Sequence, residues 1–191
     1  WSSDHTLTLS AYRNININQA ITATGASGKL ALEYSQGTST GSYTVKAPIS
    51  LQAAVATDHS GNFSTKFGSD ATTYYTVITS LGSEGDETNA MATNSLQGVR
   101  YSPRMSGKFV LGSNIDASST STWNLNGGTY KGFLPIDVSG DGFTGTFDGL
   151  GHTITGLTIN RSSTDWVGLF GWVGSGGVVK NVGLVNASVV G

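Results

Sequence analysis

Apolar and polar residues alternate in short runs along the whole chain. Examples are LTL at residues 7–9, INI at 15–17, LAL at 30–32 and ISL at 49–51. A period of two places successive side chains on opposite faces of a β-strand, and these runs are too short to form an amphipathic helix. Glycines recur in the segments between the runs, for example at positions 25, 28, 37 and 41. The pattern therefore predicts short strands joined by tight turns, with very little helix.

Two runs near the C terminus form an internal repeat. The sequences ITGLTI at residues 154–159 and VKNVGL at residues 179–184 share the pattern apolar-x-x-apolar-x-apolar. The interval between equivalent positions is constant, and at about 25 residues it falls in the range of solenoid repeats. Trp172 follows Phe147 at the same spacing. This repeat predicts that the second run stacks on the first and that Trp172 occupies a core position.

The N-terminal runs recur at similar intervals. LTL at residues 7–9 returns as LAL at 30–32, and ISL follows at 49–51. A period of about 20 to 30 residues with one or two strands per unit is typical of a solenoid. Stacked coils align their inward apolar residues and pair each strand with the coil above and below, so unpaired edges remain only at the ends. We therefore expect an all-β, parallel β-helix, with an open edge at residues 189–191.

The middle of the chain interrupts the regular pattern. It contains the acidic loop EGDE at residues 84–87 and both methionines, Met91 and Met105. A short helix around residues 87–96 is one interpretation of this region. The predicted organisation is N-terminal coils over residues 1–61, an irregular or extra-helical elaboration over 62–135, and C-terminal coils over 136–191.

Composition narrows the functional classes. The 191 residues carry a net charge of -2 and only 12% charged residues, which lacks the basic footprint of a nucleic-acid-binding protein. Aromatic residues make up 9% of the chain, more than is typical of a disordered one. No run approaches about 18 apolar residues, so no membrane span is expected. The absence of cysteine excludes disulfides and thiolate metal sites.

Several motifs in the second half of the chain resemble one family. The runs GKFVLGSNIDAS at residues 107–118 and FTGTFDGLGHTI at 143–154 resemble filamentous-haemagglutinin-type exoproteins. VGLFGWV at 167–173 together with KNVGL at 180–184 is similar to the GLUG motif found in such adhesins and in some secreted peptidases. The resemblance implies a large protein of a Gram-negative bacterium, secreted with an outer-membrane partner by two-partner secretion, and a right-handed parallel β-helix.

The same resemblance implies an adhesive function. The chain would be a structural segment of a surface adhesin, located outside the outer membrane and mediating attachment to host cells, surfaces or other bacteria. Its expected partners are a host-cell or bacterial surface ligand, with glycans among the candidates, and the secretion partner of the full-length protein. No residue is required to do chemistry in such a role.

One acidic loop has the spacing of a calcium site. Asp137, Asp141 and Asp148 fall at positions 1, 5 and 12 of a loop that begins DVSGDG. No flanking helix pattern accompanies it, which excludes an EF-hand. Calcium is the one cofactor that the sequence offers, and an Asp/Gly-rich turn between strands explains the same residues.

A second candidate is the pair Asp148 and His152, whose spacing of four residues would suit an acid and a base. A local hydrogen-bonded turn explains that spacing equally well. Polysaccharide cleavage by a β-helix would require acidic residues clustered on one face. The twelve acids are scattered, so we expect no enzymatic activity.

Exposed aromatic rings would support an alternative function, that of a carbohydrate-binding module. Tryptophan and tyrosine provide flat, amphipathic contact surfaces for ligands. Trp172 is expected in the core or in a stack of side chains from its spacing, whereas Trp123 and Trp166 lie in polar loops and are expected to be exposed. The candidate residues are Trp123, Tyr130, Trp166 and Trp172.

Overall fold

The chain forms an all-β structure built mostly from parallel strands. The computed structural model describes residues 1–52, 61–137, 140 and 142–191. The chain divides into two compact units, Trp1–Val77 and Ile78–Gly191. The described residues contain no α-helix, and their only helical segments are short 3-10 turns. No helix within these ranges is long and apolar enough to cross a membrane.

The first unit contains two successive sets of three strands. They are β1 (Thr6–Ser10), β2 (Ile15–Ile17), β3 (Ile21–Ala23), β4 (Lys29–Tyr34), β5 (Tyr43–Val45) and β6 (Ile49–Leu51). Each strand of the second set pairs in parallel with its counterpart in the first: β4 with β1, β5 with β2, and β6 with β3. The predicted alignment of LTL with LAL is confirmed here, because Leu7 pairs with Leu30.

A wider sheet extends from β4. Strand β7 (Phe63–Phe67) pairs in parallel with β4, and β8 (Thr73–Ile78) returns antiparallel to β7. Strand alternation in β4 buries Leu30 and Leu32 completely, which leaves the residues between them on the opposite face. This outer face holds the groove described below.

The second unit repeats the same plan. Its strands are β9 (Lys108–Leu111), β10 (Ile115–Asp116), β11 (Leu125–Asn126), β12 (Thr129–Tyr130), β13 (Thr146–Asp148), β14 (Thr153–Thr155), β15 (Thr158–Asn160), β16 (Val178–Lys180), β17 (Gly183–Val185) and β18 (Ser188–Val190). The set β16, β17, β18 pairs in parallel with the set β13, β14, β15. Strands β9 and β10 pair in parallel on the other side of β13 and β14, and β11 forms a hairpin with β12.

Stacked aromatic rings fill the interior of the second unit. Phe109, Phe143 and Phe147 are all buried, and the ring of Phe170 lies 5.0 Å from that of Phe143 and 5.4 Å from that of Phe147 between centroids. Aliphatic residues such as Ile154 complete this core. Burial of apolar area is the main stabilising term for a structure of this kind, since it contains no disulfide.

The predicted register of the C-terminal repeat is wrong. Ile154 pairs with Leu184 instead of Val179, and Phe147 pairs with Val179 instead of aligning with Trp172. The two matching runs lie at different turns of the fold. Residues 154–159 span the turn between β14 and β15, and residues 179–184 span the turn between β16 and β17. Both turns have the same apolar pattern because each joins two inward-facing strands through one residue with a positive φ, a glycine in the first and an asparagine in the second.

The predicted alignment of LAL with ISL is wrong for a related reason. Ile49 pairs with Ile21, whereas Leu30 pairs with Phe63. LAL and ISL therefore lie in different sheets of the same unit. Alternation alone identifies inward residues, but it does not say which inward residues are stacked.

The predicted helix over residues 87–96 is also wrong. Within this segment the structure forms only the end of a 3-10 turn, Asp86–Thr88, followed by non-helical turns. The buried guanidinium of Arg104 donates hydrogen bonds to the carbonyl oxygens of Ala90, Ala92 and Gly98, with 3.0 Å to each of the last two. These carbonyls accept from a side chain, so the segment is held in its irregular path without helical ladder bonds.

The last set of strands, β16 to β18, lies at one side of the second unit. Each of these three strands is the terminal strand of its sheet, as expected from the sequence. Leu184 and Val189, which pair with buried Ile154 and Ile159, are 45% and 44% exposed. The inward row of apolar residues thus continues through β17 and β18.

Candidate functional site

Asp148 stabilises the corner between β13 and β14. Its buried carboxylate accepts hydrogen bonds from the Leu150 backbone N–H at 2.9 Å and from the Asn181 side-chain amide at 3.0 Å. The Nζ of Lys180 lies 3.3 Å from its other oxygen. Leu150 and Asn181 both have a positive φ, 50° and 55°. The carboxylate therefore holds two left-handed turn residues in adjacent layers.

The proposed calcium loop has no assembled ligand set among the described residues. Asp137 is buried, and Asp148 uses both of its oxygens within the fold. Asp141 lies outside the described residues. The ranges that the structure describes contain no group of three or more His, Asp or Glu side chains that could hold a metal ion. Calcium binding at Asp137, Asp141 and Asp148 stays a prediction from the sequence.

His152 contacts an asparagine, and Asp148 has other partners. The Nδ1 of His152 lies 3.2 Å from Oδ1 of Asn114, and the same oxygen accepts the Thr153 backbone N–H at 3.0 Å. Since Asn114 Oδ1 is the acceptor, Nδ1 carries the hydrogen in the neutral ring. The Nε2 atom is buried and has no partner within the described residues. Burial lowers the pKa of His152 because a charged ring would be poorly solvated there.

This environment predicts a pH-dependent loss of stability. The unfolded chain takes up a proton at His152 below about pH 6.5, whereas the folded chain resists it. The contribution of His152 is therefore complete above that pH and decreases as the pH falls toward the lower pKa of the folded state. Urea unfolding at about pH 7.5 and about pH 5.5 should show a smaller decrease for His152→Gln than for the parent chain. An identical decrease in both proteins would contradict this assignment.

The aromatic candidates are arranged differently from the prediction. Trp123 is buried at 8% exposure, so its expected exposure was wrong, and Trp172 is 43% exposed, so its expected place in the core was wrong. Trp166 is exposed as expected, and its ring centroid lies 5.3 Å from that of Trp172 at an interplanar angle of 44°. Rings this close contact each other and leave no slot between them for a ligand ring. Tyr130, on the β11–β12 hairpin, is also exposed.

Sequence reasoning missed a groove on the outer face of the sheet formed by β1, β4, β7 and β8. Its volume is about 330 Å³, near the lower limit for small-ligand sites. The strand registers align Ala31 of β4 with Ser64 of β7, and Ser64 with Tyr74 of β8. Lys29 and Glu33 stand on β4 at either side of Ala31. The alternation of β4 could have indicated this face, but its neighbours depend on a register that the sequence did not reveal.

The fold and the groove define an all-β protein of stacked, mostly parallel strands with a polar surface depression. The chain is similar to halomucin from Haloquadratum walsbyi, with 36% identity over 140 residues, which is 72% of this chain and 2% of halomucin. It is also similar to a protein described as a Gly-rich membrane protein from Evansella cellulosilytica, with 42% identity over 53 residues, 28% of this chain and 6% of the relative. No family model matches, and no solved structure matches. The chain thus spans a small fraction of the length of both relatives.

Proposed function

We propose that this chain is a right-handed parallel β-helix segment of a large protein at the cell surface or outside the cell, where it acts as a structural and adhesive element. The observation that carries the proposal is the register of the strand sets. In the first unit three strands lie in parallel on a preceding set of three, and Leu30 is paired with Leu7. The second unit stacks two sets of three in the same way, and Leu184 is paired with Ile154.

Such stacking suits a spacer. Every strand of an inner layer makes ladder hydrogen bonds on both edges, and the apolar side chains form a continuous interior. Polar side chains add hydrogen bonds between adjacent layers on the outer surface. Asn14 Oδ1 accepts the Ser42 backbone N–H at 3.0 Å, and the Thr44 hydroxyl donates to Asn16 Oδ1. A segment of this type lengthens by adding layers and needs no separate core for each addition.

The relatives support a surface location and a large parent protein. One is described as a membrane protein, and this chain corresponds to 2% of the length of halomucin. Neither printed name refers to a haemagglutinin, so the adhesin-type assignment depends on the sequence motifs and the strand register. Export by two-partner secretion stays part of the proposal on the motif resemblance alone.

Antibodies raised against the folded chain provide the test. We expect them to label intact cells that produce the protein, or the protein in their medium, and we expect monovalent Fab fragments to reduce attachment of those cells to surfaces or to each other. Fab fragments against an unrelated surface protein are the control. Labelling that requires permeabilised cells would contradict the surface location, and unchanged attachment at saturating Fab would contradict the adhesive role.

A further inference from the structure

The outer-face groove is lined by Lys29, Ala31, Glu33, Ser64, Thr72 and Tyr74, together with the backbone around them. We propose that this groove binds a short, uncharged oligosaccharide. The inference concerns the first unit only and is independent of the proposed surface function.

The shape of the groove follows from side-chain size. Ala31 and Ser64 are paired neighbours on the outer face, and their small side chains leave a depression at the centre of the sheet. Tyr74 is paired with Ser64 on the next strand and is 51% exposed, so its ring forms a wall above this floor. An accessible aromatic ring beside a shallow polar floor is suited to the apolar C–H face of a sugar ring.

The polar groups are placed for hydroxyl ligands. Lys29 and Glu33 are four residues apart on one strand, which separates them by about 13 Å along the groove. No ion pair joins either side chain to another described residue. The ammonium can donate to sugar oxygens and the carboxylate can accept from sugar hydroxyls, while Ser64 and Thr72 can do both. The site can therefore hydrogen-bond with a polyhydroxylated ligand along its whole length.

The charge distribution argues against an ionic ligand. Glu33 would repel an acidic sugar at one end of the groove, and Lys29 would repel a cation at the other. An uncharged ligand avoids both conflicts and still uses both groups as hydrogen-bond partners.

The groove is arranged for binding without cleavage. Glycoside hydrolysis by the common mechanisms requires two carboxyl groups about 5–10 Å apart across the scissile bond. Glu33 is the one carboxylate among the described residues that line the groove. A bound saccharide would accordingly be retained intact.

The test is a glycan array followed by titration calorimetry with the best ligand, performed on the whole chain. We expect saturable binding to uncharged oligosaccharides, and at least about tenfold weaker binding for Tyr74→Ala, because the ring contact is lost. Ala31→Trp should abolish binding by filling the depression from a position that does not touch the core. Circular dichroism of each variant confirms that it is folded.

Tyr12→Ala is the matched control, because Tyr12 is an exposed tyrosine of the same unit outside the groove, with 72% exposure. It should bind like the parent chain. The proposal is overturned if no uncharged glycan binds, if acidic glycans alone bind, or if folded Ala31→Trp binds like the parent. None of these results depends on where the protein is located, so failure here is distinct from failure of the antibody experiment.

Discussion

Replacing Phe147 with alanine is expected to lower the free energy of unfolding of the second unit by about 3–5 kcal/mol. The Phe147 side chain is fully buried, and its ring contacts that of Phe170 with 5.4 Å between centroids. Truncation removes this contact and leaves a cavity between layers β9, β13 and β16, where the backbone ladders on both sides limit collapse. Denaturant unfolding followed by tryptophan fluorescence, to which Trp123, Trp166 and Trp172 of the same unit contribute, measures the change.

Leu125→Ala is the control for this measurement. Leu125 is an apolar residue of the same unit that is 61% exposed, and its truncation should change the free energy of unfolding by less than about 0.5 kcal/mol. A cost below about 1 kcal/mol for Phe147→Ala would show that the residue does not lie in a close-packed interior.

Replacing Asp148 with alanine is expected to cost about 2–3 kcal/mol. The substitution removes the acceptor of two partly buried hydrogen bonds, one from the Leu150 N–H and one from the side-chain amide of the exposed Asn181, and each such bond contributes about 1–1.5 kcal/mol. The loss of the contact with Lys180 adds little, because that side chain is 50% exposed. Denaturant titration of the variant and the parent chain gives the difference.

Two further variants separate hydrogen bonding from charge at this corner. Asp148→Asn keeps an acceptor for the Leu150 N–H, and Lys180→Met removes only the exposed partner. Each should cost less than about 1 kcal/mol. If Asp148→Asn were as destabilising as Asp148→Ala, the ion pair and not the acceptor would hold the corner, and this description of it would be wrong.

The sequence predicted where strands occur better than which strands pair with each other. The LTL, INI, LAL and ISL runs all lie in strands, and the pairing of Leu7 with Leu30 was foreseen. The later registers were not, because corners and loops of different length separate equivalent strands. The loop between β15 and β16 extends from position 161 to position 177. A prediction based on a fixed period does not account for loops that differ in length.

The misplaced tryptophans and the missed groove have the same origin. Trp172 was expected in the core only because it follows Phe147 at the interval of the repeat, whereas the true partner of Phe147 is Val179. The groove requires Ala31 beside Ser64, and the interval read from the sequence would have placed Ser50 there instead. Sites formed by residues from different layers cannot be predicted until the strand register is known.

The contacts of Asp148 show another limit of sequence reasoning. Its closeness to His152 along the chain indicated an acid/base pair, but Asp148 accepts instead from the nearby Leu150 N–H, and the side-chain partners of both residues are distant in sequence. Asp148 accepts from Asn181, and His152 contacts Asn114. Stacking brings these residues together, and spacing along the chain does not report it. The alternative of a structural turn was correct for Asp148.

Engineered disulfides test the central claim, the register of the stacked strands, most directly. The chain has no cysteine, so introduced pairs have no competitors. Thr155 and Val185 are paired neighbours on β14 and β17, and paired strands bring Cα atoms within about 5 Å, inside the range for a disulfide. We predict rapid oxidation of the Thr155→Cys/Val185→Cys protein and none for folded Thr155→Cys/Lys180→Cys, which has the spacing of the sequence repeat. Cross-linking of the second pair in place of the first would contradict the account.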